Sequence, residues 1–469
     1  MIKNKKIKIG IFHYRVGKTD GVSLEIEKRK EILLKNNCEV KLIAGPNSIG
    51  ADYVIKELEW DSKEMAIIKE SSFKIPAKKI LSVSELKKRI EKISKKIKKQ
   101  LECIQKKEKF EYILVHNIFS FGGHIPASKA FFEWIEENQI RCLSTNHDFY
   151  WERKDCQVPR SKYIEKYLIK YMPPKSKNIQ HIVINSIAEE DLKKRRKIND
   201  IKTIGDIFDF EQKEWIADSV SKKLLEMFRI KKNDIVVLQA TRILPRKGIE
   251  ISIEYVRRLQ MQIKKITESS IYNGKKINGN SRVILVIAGY AEKENKKYLK
   301  KIKKLANKKN ISVRFVSDFI SAKRKFGRFG KIKKFSLWDA YVNADLVTYP
   351  SLWEGWGNQF IEAIFAKKPV AVFEYPVFKK DIKKEGYAVV SFGDKFIANK
   401  KTGEILIPER VMNKAVKKTI KILFNKNFKK DIINNFKIGK KHHSYKVFEN
   451  IFLEIIYNQI INKEKYFGN

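Results

Sequence analysis

Short apolar runs alternate along most of the chain with stretches whose apolar residues step by three and four. KIKIGIFHY, from Lys6, has the unbroken apolar look of a strand buried on both faces. TDGVSLEIEKRKEILLKNN then places Ile26, Leu33 and Leu34 on one helical face, ahead of a second strand, EVKLIA. Strand, helix and strand in that order predict a βαβ unit, a parallel sheet joined by a right-handed crossover. Leu86, Ile90, Ile93, Ile97, Leu101 and Ile104 form one face of a further helix whose other face is nearly all lysine, with Ser82 and Glu85 as its capping box. Such a helix covers a sheet or, alternatively, lies on an anionic membrane. Strands at EYILVHN, IRCLSTN and HIVINS, separated by helical stretches such as Ala127 to Asn138, continue the alternation of a doubly wound domain.

Between about Gly205 and Asn233 the pattern loosens, and the domain boundary is expected there. It then restarts with DIVVLQA, a helix from Gly248, RVILVIAG, a helix to Lys308, ISVRFV, the short helix SLWDAYVNA, LVTYP, another helix and PVAVFEYP. Two tandem doubly wound α/β domains follow, assigned to residues 1–210 and 230–440. The chain turns all-helical after Arg410 and ends in a helix over 444–469, where Phe448, Ile451, Phe452, Ile455 and Ile456 make an apolar stripe that needs a surface to cover. The run Ser321 to Lys334 carries seven Lys or Arg and no acid. It is expected to be a mobile, solvated loop, with Phe326 and Phe329 leaving single-stranded nucleic acid or lipid headgroups as the alternative.

Composition widens the picture more than it narrows it. The 469 residues, 43% of them hydrophobic, suffice for two cores. Lys and Arg number 100 against 54 Asp and Glu, a net charge of +46, which attracts polyanions, anionic lipid or phosphorylated small molecules. The cations are spread along the whole chain, so a solvated basic surface accounts for them equally. Cys38, Cys103, Cys142 and Cys156 have neither the spacing nor the companion histidines of a zinc site and read as reduced thiols. The first residues enter a strand at once, and no apolar run reaches the ~18 residues of a membrane span, so neither an export signal nor a spanning helix is expected. The expected location is the cytoplasm, either free or peripheral at the inner membrane face.

In open α/β sheets ligands bind at the carboxyl ends of strands, and four candidates have that address. QATRILPRKGIE follows a strand, and its Arg242 and Lys247 lie across a turn braced by Pro245 and closed by Gly248, able to approach one anion at a helix N-terminus. In YPSLWEGWGNQFIEA, Gly355 and Gly357 let backbone N–H groups near a ligand, and Glu354 in the loop and Glu362 one turn into the helix suit sugar hydroxyls. LSTNHDFYWER sets His147 and Asp148 just past a strand, an address from which His147 could bind or deprotonate a substrate hydroxyl, the alternative being a structural histidine. Gly21 sits at the first strand-to-helix loop, which is too poor in glycine for a dinucleotide fingerprint. His13, His116 and His124 also fall near strand ends.

Two tandem Rossmann-like domains, the R-x4-K of Arg242 and Lys247, and the E-x7-E of Glu354 and Glu362 within AD-x3-YPS-x2-EGWG-x4-EA resemble the retaining family 4 glycosyltransferases of the GT-B fold. The resemblance implies a cleft between the domains, with the terminal helix crossing back onto the acceptor-binding first domain. It implies a nucleotide-diphosphate sugar as donor, a hydroxyl acceptor, no cofactor and no metal. By the same resemblance Arg242 and Lys247 grip the diphosphate, Glu362 binds the ribose and Glu354 the transferred sugar. Backbone amides from Gly355 through Trp356, Gly357 and Asn358 hold sugar hydroxyls, His147 contacts the donor sugar, and Gly21 lets the first loop approach the phosphates. No specific nucleic acid is implied; peripheral contact with an anionic membrane stays open.

Three departures stand out. AKKP replaces the usual glycine after the Glu362 helix, TIGDIFDF replaces the usual asparagine-glycine turn at the hinge, and the basic insertion falls near the expected nucleoside base. The acceptor is either a small soluble sugar phosphate or glycosylated acid, or a lipid or polysaccharide at the membrane; VFEYPVFKKDI is similar to soluble-acceptor members. The competing readings are a basic nucleic-acid-binding protein and a GT-B epimerase or phosphorylase.

Overall fold

The computed structural model describes residues 6–18, 21–77, 79–399 and 402–467, with side chains as far as 458. Thr19 and Asp20 of the loop expected before the first helix, and Gly468 and Asn469 of the expected terminal helix, lie outside the described residues. The chain divides into two units: one runs to Gly205 and resumes at Phe448, and the other is Asp206–Val447. Residues 206–229, most of them left outside both domains by the sequence pattern, group with the second.

In the first unit a sheet of seven strands, parallel throughout, has the order Tyr53–Val54, Cys38–Ala44, Ile7–His13, Tyr112–His116, Arg141–Asn146, Ile179–Val183 and Ile201–Thr203. Tyr112–His116 and Ile179–Val183 are buried at every position, as strands covered on both faces must be. The helix Gly21–Lys35 buries Ile26, Arg29, Ile32 and Leu33. Leu34, expected on that face, is 51% exposed, because it falls past the edge of the buried arc. The lysine-rich helix is Val83–Glu108, started by the Ser82–Glu85 capping box. Its Ile97, Leu101 and Ile104 pack into a core with Phe12, Ile113, Phe131 and Trp134. The apolar stripe is therefore spent inside the domain, and only the lysine face is left for anything outside it.

The last helix is Tyr445–Phe467. Phe448, Phe452, Ile455 and Ile456 are buried, while Ile451 of the expected stripe is 41% exposed. The surface it covers includes Arg29, only 2% exposed, whose guanidinium lies 5.2 Å from the ring centre of Phe448 and 5.3 Å from that of Phe452. Arg29 also donates to Thr145 Oγ1 at 2.6 Å. A desolvated cation over aromatic faces contributes up to about 2 kcal/mol.

The second unit has a six-stranded sheet, again all parallel, in the order Val313–Phe315, Val283–Ile287, Ile235–Gln239, Leu346–Tyr349, Val370–Val372 and Val390–Ser391. The helix Asn358–Phe365 stops where Lys367 takes φ 53°, with its N–H donating to Ile364 O and that of Lys368 to Ala363 O, both at 3.0 Å. This is the left-handed cap that glycine usually makes, here adopted by lysine. In TIGDIFDF, Phe208 N–H donates to His443 O at 2.8 Å, and its ring packs on Trp215 and Phe365, which ties this part of the segment to the second unit.

The basic run is not the loop expected. Ile320–Ser321, Ile332–Ser336 and Lys325–Phe326 form a small three-stranded sheet. Arg324 pins it, donating to Asp218 Oδ2 at 2.7 Å and to Asp339 Oδ2 at 3.0 Å.

Candidate active site

After the strand Ile235–Gln239 the chain turns back on itself. Gln239 Nε2, fully buried at the strand's end, donates to Thr241 Oγ1 and to Lys247 O, each at 3.0 Å. Pro245–Lys247 form a single 3-10 turn, and Gly248 follows at φ 60°. A side chain on Gly248 would run into the carbonyl oxygen of Pro350, so glycine is required twice over, by the left-handed backbone and by this close approach. The approach lays the turn against the loop that follows Leu346–Tyr349, and Leu352 N–H donates to Arg246 O at 2.8 Å.

Lys247 and Glu354 meet there. The Lys247 ammonium pairs with Glu354 Oε1, and Arg246 NH1 donates to Oε2 at 2.7 Å and to Trp353 O at 2.5 Å. The side chains of Lys247 and Glu354 are 5% and 10% exposed, that of Arg246 32%. Burial, with Arg246 and Arg242 adding repulsion, pushes the Lys247 ammonium down to about 8 despite Glu354. Burial raises the Glu354 carboxyl, but Lys247 and Arg246 outweigh it and hold it below its usual value. The cluster thus carries more positive than negative charge in a dry place, which favours an anion.

Arg242 has a partner of its own. Its guanidinium donates to Glu292 Oε1 at 2.7 Å with 45% of the side chain exposed, near enough to repel the Lys247 charge but without a shared partner. The cation that does share Glu354 with Lys247 is Arg246, which lies outside the R-x4-K pair; its position beside Lys247 in a Pro-braced turn is the signal the sequence offers for it.

Beyond Glu354, Trp356 turns inward: it is 7% exposed, edge-on to His443 at 5.7 Å, and its indole N–H finds no acceptor among the described residues. Its carbonyl accepts from the Tyr375 hydroxyl. That hydroxyl also lies 2.5 Å from where a Cβ on Gly357 would be, so Gly357 makes room inside the protein. Gly355 lies two residues earlier in the same loop. Asn358 opens the helix Asn358–Phe365, whose N-terminus has no side-chain cap. Glu362, on its second turn, accepts from the Tyr341 hydroxyl at 2.8 Å.

The two candidates of the first unit stand on its own strand ends. Gly21 begins the helix Gly21–Lys35, and a Cβ there would meet open space, so nothing in the described chain demands glycine. His147 follows the strand Arg141–Asn146. Its backbone N–H is held by Asn117 Oδ1 at 2.9 Å, its Nε2 lies 3.4 Å from His116 Nδ1, and the two rings stack at 5.7 Å. His13 Nδ1 lies 2.8 Å from His116 O. Three histidines therefore gather at three adjacent strand ends, which sequence spacing alone could not reveal. Among the described residues no three His, Cys, Asp or Glu are placed to hold a metal ion, and no helix is long and apolar enough to cross a membrane.

Residues 221–438 match the family model for glycosyl transferases group 1. The chain is 38% identical over 427 residues to the mannosylglucosylglycerate synthase of Petrotoga mobilis, covering 89% of this chain and 94% of that one. It is 36% identical over 448 residues to the Thermotoga maritima enzyme of the same name, covering 95% and 98%. Among solved structures it is similar to a glycosyltransferase from Rickettsia africae, with TM-score 0.59 and 14% identity over 98% of this chain and 99% of that one. It is also similar to the lipopolysaccharide glycosyltransferase WaaG, with TM-score 0.54 and 12% identity over 94% and 99%. The parallel α/β sheets of the two units are thus those of the GT-B fold, and the chain belongs to the group 1 glycosyl transferases.

Proposed function

We propose that this glycosyltransferase moves a mannose from a nucleotide-diphosphate sugar to a hydroxyl of glucosylglycerate, keeping the anomeric configuration and using no metal. The observation that carries the reading is the buried Lys247 ammonium at a strand's carboxyl end, grouped with Arg246 and Arg242. Charge builds on the diphosphate as it leaves, and fixed cations in a low-dielectric site lower that barrier electrostatically. Lys247 then stabilises the leaving group, aided by Arg242 after exchange of its exposed pairing with Glu292 and by the uncapped N-terminus of Asn358–Phe365. Glu362 accepts from the ribose hydroxyls. Glu354, although paired with two cations, keeps acceptor lone pairs for a sugar hydroxyl.

The acceptor follows from the two relatives, whose shared name is that of a product containing mannose, glucose and glycerate. An acceptor bearing a carboxylate also suits a chain of net charge +46. The test is incubation with UDP-, GDP- or ADP-mannose and glucosylglycerate, with the product's anomeric signal read by NMR and the rate repeated in EDTA. Product with the donor's configuration at an unchanged rate is expected. No product from any of the three donors would overturn the reading, and loss of rate in EDTA would remove its metal-free part.

A further inference from the structure

Arg246 stands outside the arginine-lysine pair of the sequence motif, yet it completes the coordination of Glu354. One of its guanidinium nitrogens reaches both Glu354 Oε2 and Trp353 O, and its guanidinium carbon lies 5.3 Å from the centre of the Trp353 ring. We infer that Arg246 is a positioning residue, which keeps Glu354 fixed and paired so that Lys247 can turn its ammonium to the diphosphate of the donor without stranding a buried carboxylate. The inference rests on reading this site as one for a nucleotide-diphosphate sugar.

Glu354 has a separate cation on each oxygen. A diphosphate that draws Lys247 away from a carboxylate with a single partner would leave that carboxylate buried and uncompensated, which is strongly unfavourable. With Arg246 in place the carboxylate keeps a charged hydrogen bond throughout. The groups facing the Lys247 ammonium are Glu354 from the loop after Leu346–Tyr349, and Arg246 and Arg242 from its own turn. Removing Arg246 removes a repulsion and makes Lys247 the sole cation on Glu354, so the ammonium is held harder and keeps its proton to higher pH.

Calorimetry on the full chain with UDP, GDP and ADP, from about pH 6.5 to 9.5, compares wild type with Arg246→Gln and Arg246→Lys, with melting curves as the check on folding. Wild-type affinity is expected to decline above pH 8 or so, where Lys247 loses its charge. For Arg246→Gln the expected result is at least tenfold weaker binding at neutral pH and a decline displaced to higher pH. For Arg246→Lys, which restores the charge but not the fork, it is affinity within about threefold of wild type and a decline near that of wild type. Wild-type affinity in Arg246→Gln, or a loss equal at every pH with no displacement, overturns the inference. If the Gln variant does not fold, Arg246→Lys decides: near-wild-type affinity supports the assignment and a tenfold loss overturns it. A wild-type chain that binds none of the three nucleotides overturns the underlying reading instead, and this assignment falls with it.

Discussion

The hydroxyl of Tyr341 donates to Glu362 Oε2 at 2.8 Å, joining the short helix before the strand Leu346–Tyr349 to the helix after it. Tyr341 is fully buried, and burial together with the Glu362 charge raises its hydroxyl well above the usual phenol range, so the proton stays on and the donor is permanent. The bond fixes the rotation of the Glu362 carboxylate. Glu362→Ala should weaken binding of the matching nucleoside diphosphate in calorimetry, and should also cost about 0.5–1.5 kcal/mol of stability, since the Tyr341 hydroxyl loses its better acceptor and keeps the longer bond to Gln359 O at 3.3 Å. Glu362→Ala with Tyr341→Phe removes both partners, and should recover most of the stability but none of the affinity.

Lys247→Ala separates charge from fold. Glu354 retains Arg246 in that variant, so the loop around it should persist. Turnover should nevertheless fall by roughly 10²–10³, the range seen when a preorganised donor to a developing negative charge is removed. Steady-state rates beside the melting temperature check this: a wild-type rate contradicts the clamp, and a collapsed melting temperature would make the residue structural.

The first unit should be acid-sensitive. His124 and His181 are fully buried and desolvation pushes each down to about 4 from an ordinary 6.5, against the pull of their backbone hydrogen bonds. Since the folded values lie below the unfolded ones, the unfolded chain binds more protons between those limits. Stability is complete above about pH 6.5 and declines as pH falls toward 4, by about 3 kcal/mol for each histidine. Calorimetric melting across that window should show the decline, and His124→Gln should flatten it. Melting that is unchanged from pH 7 to about 4.5 would contradict the burial of both rings.

Lys367→Gly should stabilise the second unit. A left-handed backbone costs a non-glycine residue about 1–2 kcal/mol. Lost in exchange are the Lys367–Glu214 ion pair, partly exposed at 33% and 54% of the two side chains and contributing about 0–1 kcal/mol, and the contact of the Lys367 ammonium with the Phe436 ring at 5.1 Å, about 0.5 kcal/mol at so exposed a site. A rise in melting temperature is expected, and a fall would show that the lysine does more than cap the helix.

The strands and helices of both units are legible in the chain because parallel strands covered on both faces need unbroken apolar runs, and the helices over them need a 3.6-residue period. What escaped has a different physical origin. The pairing of Arg246 and Lys247 with Glu354 depends on Gly248 lying against Pro350, a contact between segments about a hundred positions apart that leaves no periodic trace. The gathering of His13, His116 and His147 depends on strand order. The small sheet in the basic run is built from strands as short as Ile320–Ser321 and Lys325–Phe326, too brief to show alternation, and its stabilising arginine reaches acids elsewhere in the unit. Leu34 and Ile451 depart from the pattern for a simpler reason: each is apolar and within a few residues of a buried face, and only packing decides which side of the edge such a residue takes.

The last helix has a consequence for synthesis. From Phe448 onward the chain returns to the unit that it began, so the second unit is nested as an insertion in the first. While the ribosome is still reading the second unit, Arg29 waits without the rings of Phe448 and Phe452. A fragment ending at Gly205 should therefore leave the ribosome with an aromatic-binding surface still uncovered.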